Sequence, residues 1–293
     1  MGEDDRTRRA TVGGASFEGR STPAGRLSDE TWPTVDASTI LLLREGDGVE
    51  VLLLERHLES DFAGGALVFP GGKVDDADRE LDPSRWAGRD PAAWRERLGA
   101  ATDADALGLL VAAVRETFEE ANVLLASRGG RPVTDRDLEE PGFVEARRRL
   151  ASREERFDWR AWLEEEDLVL DLGALAPWSW WVTPKGQHKR FDTRFFVAVL
   201  PEEQSAAHDR VEITGLRWDR PQDALDAQAE GRMVVIFPTR RNLSALAEHD
   251  SAAAAWRAAD EGRVDLRRIE PEVVIVGDDV LVQHPYEDQP EPI

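Results

Sequence analysis

The first clear pattern along the chain is a pair of leucine-rich runs, Ser38 to Arg44 and Val49 to Arg56, separated by Glu45-Gly46-Asp47-Gly48. Two glycines and two acids between apolar runs predict two strands joined as a hairpin. A third short strand is predicted over Ala66 to Phe69, ended by Pro70-Gly71-Gly72. Asp90 followed by Pro91 reads as a helix cap and first helical residue, giving a short helix through Trp94 to about Leu98. Asp103 or Asp105 then opens a longer helix. Leu107, Leu110, Val111, Val114, Phe118 and Val123 recur at three- and four-residue steps, so one face is apolar as far as about Ala126. Gly129-Gly130 closes that segment.

Beyond it, residues 137–166 are charged and helix-prone, broken near Asp158, and are expected to form one or two surface helices. Strand signals return at Trp178 to Thr183, Phe191 to Leu200 and Val211 to Trp218. Helices are predicted over Pro221 to Glu230, Asn242 to His249 and Ala252 to Glu261, with Val234 to Phe237 as a short apolar element between the first two. A terminal hairpin over Val273 to Gln283 is expected to turn at Gly277-Asp278-Asp279. Strands in groups with helices between them point to an α+β or α/β/α layered domain. Residues 1–36 lack either periodicity and read as a flexible tail, leaving 37–293 as one domain with insertions at about 79–106 and 137–166.

Composition narrows the function. With 41% hydrophobic residues over 293 positions, the chain can bury a core of ordinary size. A formal charge of -22 argues against a general nucleic-acid binder, which needs a surplus of Lys and Arg. An anionic substrate must then be met by a local basic patch or by metal. Cysteine is absent, which removes disulfides, thiolate metal sites and a cysteine nucleophile. The charged start MGEDDRTRR carries no signal-like apolar stretch, and no run of about 18 apolar residues suggests a membrane span. A soluble cytoplasmic protein is expected.

The residues that carry chemistry lie between Phe69 and Leu125. After the turn Pro70-Gly71-Gly72, the longer helix contains Arg115-Glu116-Thr117-Phe118-Glu119-Glu120. Positions 116, 119 and 120 are three and four residues apart, so their carboxylates share one helical face while the apolar residues cover another. A solvated helix face is the ordinary meaning of such a string. Three carboxylates within one turn repel one another, however, and a cation offsets this. Hard oxygen donors suit Mg²⁺ or Mn²⁺.

This arrangement resembles the Nudix family. Its box has a glycine, five residues, a glutamate, seven residues, then Arg-Glu, an aliphatic residue, any residue, Glu-Glu, any residue, glycine and an aliphatic residue. Here Phe69-Pro70-Gly71-Gly72-Lys73-Val74-Asp75 is similar to the opening, Asp78 falls at the first glutamate, and Arg115 to Glu120 matches the core. Asp78 for Glu, Thr117 for the aliphatic residue and Asn122 for the glycine are departures. A larger departure is that residues 79–114 put 36 residues where the family has seven. Closing the longer loop costs only about 1.5 kcal/mol by the logarithmic rule, so the box can survive it. The split box, together with Trp181-Val182-Thr183-Pro184 and Lys189-Arg190-Phe191-Asp192-Thr193-Arg194-Phe195-Phe196, resembles the Nudix-19-like branch. Its characterised members hydrolyse coenzyme A and its acyl esters.

The resemblance implies an α/β/α sandwich with a mixed sheet and a box helix that binds metal. It implies Glu116, Glu119 and Glu120 as metal ligands, the Gly71 carbonyl as a further ligand, and Arg115 as the residue that orients the carboxylates. Water attacks one phosphorus of a diphosphate, with Glu120 as the box candidate for its base and Glu202 or Glu203 as distant candidates. Lys73 and the basic cluster Lys185, His188, Lys189, Arg190 and Arg194 are candidate phosphate grips, weighed against a strand whose alternate residues face solvent. Trp178, Trp180 and Trp181 offer a stack for adenine or, alternatively, core packing. Three functions stay open: a coenzyme A or acyl-coenzyme A diphosphatase, a diphosphatase for ADP-ribose, nucleotide sugars or dinucleotides, and a noncatalytic nucleotide-binding protein. Residues 137–166 are open to two roles, a cap over the pocket or a homodimer surface.

Overall fold

The computed structural model describes residues 21–22, 25–26, 32–56, 65–152, 157–208, 213–276 and 279–292. Most of positions 1–36, the expected strand start at Val211 and the expected turn Gly277-Asp278 lie outside these residues. Within the segment expected as a tail, Ser21–Thr22 pairs antiparallel with Gly25–Arg26.

The leucine-rich runs form the hairpin strands β1 (Thr34–Gly46) and β2 (Gly48–Arg56). Gly48 lies at φ +94, a conformation that glycine adopts without the steric penalty of a Cβ. β1 begins four residues before the expected Ser38, because Thr34 to Leu43 pair in parallel with a later strand, Thr34 with Arg190 and Leu43 with Val199. Two short strands follow, β3 (Leu67–Val68) on β2 and β4 (Gly71–Lys73) on β1. The Gly-Gly turn therefore does not simply end a strand; it is itself hydrogen-bonded to the sheet. With β5 (Ala176–Val182), β6 (Arg190–Val199), β7 (Ile213–Asp219) and β8 (Arg268–Ile269), the order is β7-β2-β1-β6-β5-β8. The β1/β6 and β5/β8 pairs are parallel and the others antiparallel, a mixed sheet.

Why are Ile40 to Leu43 of β1 and Val51 to Leu54 of β2 apolar on every residue? Ile40, Leu42, Leu52 and Leu54 enter the core on one side, and Leu41, Leu43, Val51 and Leu53 enter the core on the other. A sheet covered by helices on both faces has no polar face to alternate with. The first side is covered by the 19-residue helix Asp103–Ala121, the second by the helices Phe237–Leu246 and Ala252–Asp260. The fold is thus α+β, layered as the resemblance implies.

Residues 137–166 differ from the expectation of surface helices. The helices Asp135–Leu138, Pro141–Leu150 and Trp159–Glu165 bury Leu138, Phe143, Trp159, Trp162 and Leu163 in the first core. Phe118 of the long helix stacks on Trp162 at 5.5 Å, and Phe143 meets Trp162 edge-on at 5.1 Å. Beside them stands a second sheet that the periodicity did not reveal. Leu168–Asp171 pairs with Trp86–Ala87 and with Ala126–Arg128, which in turn pairs with Arg131–Pro132. Among the described residues no helix is long and apolar enough to cross a membrane.

Candidate active site

The helix Asp103–Ala121 is capped at its start by Thr102, whose hydroxyl accepts from the Asp105 amide while the Asp105 carboxylate accepts from the Thr102 amide. It ends at Ala121, earlier than the apolar pattern suggests, because Asn122 adopts φ 57, ψ 30. Val123, Leu124 and Leu125 continue into the core without helical geometry. The helix is fixed to the sheet where the Ser38 hydroxyl donates to the Leu109 carbonyl at 2.6 Å. That contact sets how far the following turns lie from β1 and β4.

Arg115 organises the site. It is buried and grips Asp78 with two nitrogens, Nε to Oδ1 at 3.0 Å and Nη2 to Oδ2 at 2.9 Å. Its Nη1 donates to Glu116 at 2.8 Å and its Nη2 to the Lys73 carbonyl at 2.8 Å. Glu119 and Asp75 lie at 3.8 and 3.7 Å from the same guanidinium. The Gly71 amide donates to Glu120 Oε2 at 2.9 Å, so the turn meets the helix directly. Gly72 explains the closeness: a Cβ there would fall 2.4 Å from Glu116 Oε1. Only a residue without a side chain lets the Glu116 carboxylate rest against the turn.

Removal from water pushes the Asp78 and Glu116 carboxyls above their usual range, and Arg115 pulls both back. The same carboxylates hold Arg115 firmly in its charged form, against the effect of its own burial. One guanidinium thus faces the carboxylates of Asp75, Asp78, Glu116 and Glu119, with Glu120 buried beside them. This surplus of hard, partly desolvated oxygen donors fits a divalent cation. Among the described residues, no three acidic or histidine side chains already converge as a metal cage.

A model of the NUDT19 Nudix domain matches residues 42–246. This chain belongs to the Nudix family, in its NUDT19 branch. It is 33% identical over 215 residues to an acyl-coenzyme A diphosphatase NUDT19 of Gallus gallus, covering 60% of this chain and 55% of that protein. Identity to the protein of the same name from Homo sapiens is 34% over 214 residues, covering 62% and 56%. The chain therefore spans a little over half the length of these relatives. A crystal structure of a NUDIX hydrolase from Alicyclobacillus acidocaldarius superposes with a TM-score of 0.64 at 30% identity, covering 77% of this chain and 96% of that one. Nudix hydrolases generally use divalent metal ions.

Each departure from the Nudix box has a local physical reason. Thr117 is fully buried where an aliphatic residue is usual, and its hydroxyl donates to the Ala113 carbonyl at 2.8 Å, one turn back. Asn122 replaces glycine at a left-handed residue, a conformation that asparagine tolerates better than other side-chain-bearing residues. Asp78 replaces glutamate as the full partner of Arg115, and its Oδ2 also accepts from the Asp75 amide at 2.9 Å. The 36-residue excursion is anchored rather than loose. Arg79 pairs with Asp105 and Asp36, and Arg89 with Asp260, while Trp94 stacks under both Arg89 and Arg97.

The other expected site residues separate into two groups. Lys73 is exposed at the end of β4, with its own carbonyl on Arg115. Lys185, His188 and Lys189 are exposed in the β5–β6 turn. Arg190 and Arg194, expected as phosphate grips, are buried and ion-paired. Arg190 bonds Glu270 at 2.6 Å and the Thr183 and Trp32 carbonyls; Arg194 bonds Asp192 and the Leu98 carbonyl and lies 4.1 Å over the Trp180 ring. Trp178 and Trp181 are core residues, and Trp180 is half-buried, with Gly99 against its ring edge and Arg194 over its face. Glu202 and Glu203 sit exposed in a turn. Sequence reasoning missed Gln204 behind them. Buried, it accepts from the Leu124 amide and donates to the Leu124 and Val133 carbonyls, pinning this turn beside the end of the site helix.

Proposed function

We propose that the chain is a divalent-metal-dependent diphosphatase acting on coenzyme A or its acyl esters, releasing 3',5'-ADP and 4'-phosphopantetheine or its acyl form. The observation that carries the reading is the excess of buried carboxylate around Arg115, set against the Gly71-Gly72 turn. The resemblance in sequence to acyl-coenzyme A diphosphatases supports the substrate class.

Glu116, Glu119 and Glu120 are the proposed ligands, joined by the Gly71 carbonyl, with Mg²⁺ or Mn²⁺ as the ion. When bound, the metal neutralises phosphate charge and lowers the pKa of water. Arg115 holds Glu116 and Glu119 at the end of the helix nearest the turn. Glu120, within reach of the turn, is the proposed base that takes the proton of the attacking water; Glu202 and Glu203 stand in an exposed turn. Lys73 is the proposed phosphate grip, since of the expected grips it alone has a backbone contact with Arg115. Small-molecule diphosphates are the proposed partners, and the acidic surface disfavours nucleic acid.

Purified protein incubated with Mg²⁺ or Mn²⁺ and coenzyme A, acyl-coenzyme A esters, ADP-ribose and NADH tests the reading by product chromatography. Release of 3',5'-ADP from coenzyme A or its esters is the expected result. Cleavage of ADP-ribose or NADH alone would move the substrate to that class, and turnover of none would favour a nucleotide-binding protein.

A further inference from the structure

The last turn of the site helix has an electrostatic problem. Glu116, Glu119 and Glu120 cluster where the helix dipole is already negative, and the helix has no basic residue in its last turn. Its terminal carbonyls also need donors from outside the helix. The Asn122 amide serves Phe118, the Val123 amide Thr117 and the Ala207 amide Ala121. The Glu119 and Glu120 carbonyls are both served by Arg147 of the helix Pro141–Leu150, Nε to Glu119 at 2.9 Å and Nη2 to Glu120 at 3.3 Å. The same Nη2 donates to the Ala207 carbonyl at 2.6 Å. One guanidinium thus ties together the site helix, the segment 137–166 and the turn that follows β6.

We propose that Arg147 is a positioning residue for the metal-binding carboxylates, holding the backbone of Glu119 and Glu120 in the register the ion requires. The inference rests on the metal reading above and gives the segment 137–166 a role in the site that neither a cap nor a dimer surface describes. Arg147 brings from another element positive charge and donors to the carboxyl end of the site helix, whose own last turn has no basic residue. Its loss lets that turn fray under the repulsion of its own side chains.

Equilibrium Mn²⁺ binding, read by electron paramagnetic resonance of the free ion, tests this without relying on turnover. Arg147→Met keeps the aliphatic stem and removes the donors; binding weakened about 10- to 100-fold is expected, the range seen when residues supporting metal ligands are lost. Phe143→Leu, which loosens the same helix and leaves Arg147 in place, is expected to lower Tm while keeping Mn²⁺ affinity within about twofold. Unchanged affinity in Arg147→Met, or equal weakening in Phe143→Leu, would overturn the inference. Should Arg147→Met not fold, Arg147→Lys decides: one ammonium does not reproduce the guanidinium fork, so weakened binding supports the inference and undiminished binding overturns it. A wild-type chain that binds no Mn²⁺ would overturn the metal reading itself.

Discussion

Two arginine-centred clusters lie on or against the same sheet, and their charge balance differs. Around Arg190, Arg194 and Arg268, the carboxylates of Asp36, Asp192 and Glu270 pair off nearly one to one. Around Arg115, one guanidinium faces four carboxylates. Buried ion pairs that balance hold strands in place. A surplus of carboxylate is costly to bury, and the proposed metal reading places a cation there. The sequence displays both clusters as runs of charge, and only the three-dimensional pairing separates a brace from a site.

The sharpest way to break this contrast is to remove the guanidinium at the centre of the carboxylate-rich cluster. Arg115→Met leaves Asp78 and Glu116 buried without compensation, and a loss of about 3–5 kcal/mol in urea denaturation is expected. Arg194→Met removes one of several charges in the balanced cluster; a smaller loss, about 1.5–3 kcal/mol, with kcat/KM unchanged is expected. A fall in kcat/KM with stability intact would put Arg194 back among the substrate grips. Gly72→Ala sharpens the contrast from the other side. The new Cβ meets the far end of the Glu116 side chain, which can move, so stability should change little while Mn²⁺ affinity falls about tenfold.

The smallest expected effect is in the pH dependence of the metal-free protein. Asp78 and Glu116 have pKa values raised in the fold, so their contribution is fully present below their ordinary values of 3.8 and 4.5 and is lost as pH rises through the raised ones. Asp137, held down chiefly by its hydrogen bonds from Arg131, has the opposite sign: its contribution is present above 3.8 and lost as pH falls. Asp137→Asn should therefore lower stability at neutral pH and flatten its fall on the acid side. An unchanged acid side would remove Asp137 from this role.

How much of this was legible in the sequence depended on whether a feature has a period. The unbroken leucines of β1 and β2, the Asp90-Pro91 start of a short helix and the carboxylates on one helical face all follow from local spacing. The end of the site helix did not, because Val123 to Leu125 keep the apolar pattern while Asn122 turns the backbone left-handed. Arg147 and Gln204 were invisible for a related reason: each bonds main-chain atoms far away in sequence, which leaves no motif. Trp159 and Trp162 sat among so many charges that the apolar face they share with Phe143 and Phe118 was hidden. Even so, the pairing of Asp78 with Arg115 across the long excursion shows why a split box can work. A short helix, Asp76–Arg79, packs on the site helix at Gly108, where a Cβ would meet Arg79 Cγ at 2.7 Å, and brings Asp78 to Arg115 before the chain departs.

The proposed function requires that the carboxylates beside Arg115 hold the divalent metal that water needs to cleave a diphosphate. Its most direct test follows 3',5'-ADP release from coenzyme A against Mn²⁺ concentration in the wild-type chain and in Glu120→Gln. Saturable, chelator-sensitive release that falls on the order of 10²- to 10⁴-fold in the variant, with Tm preserved, is the expected result. Release that survives the chelator, or a variant as active as the wild type, would contradict the claim.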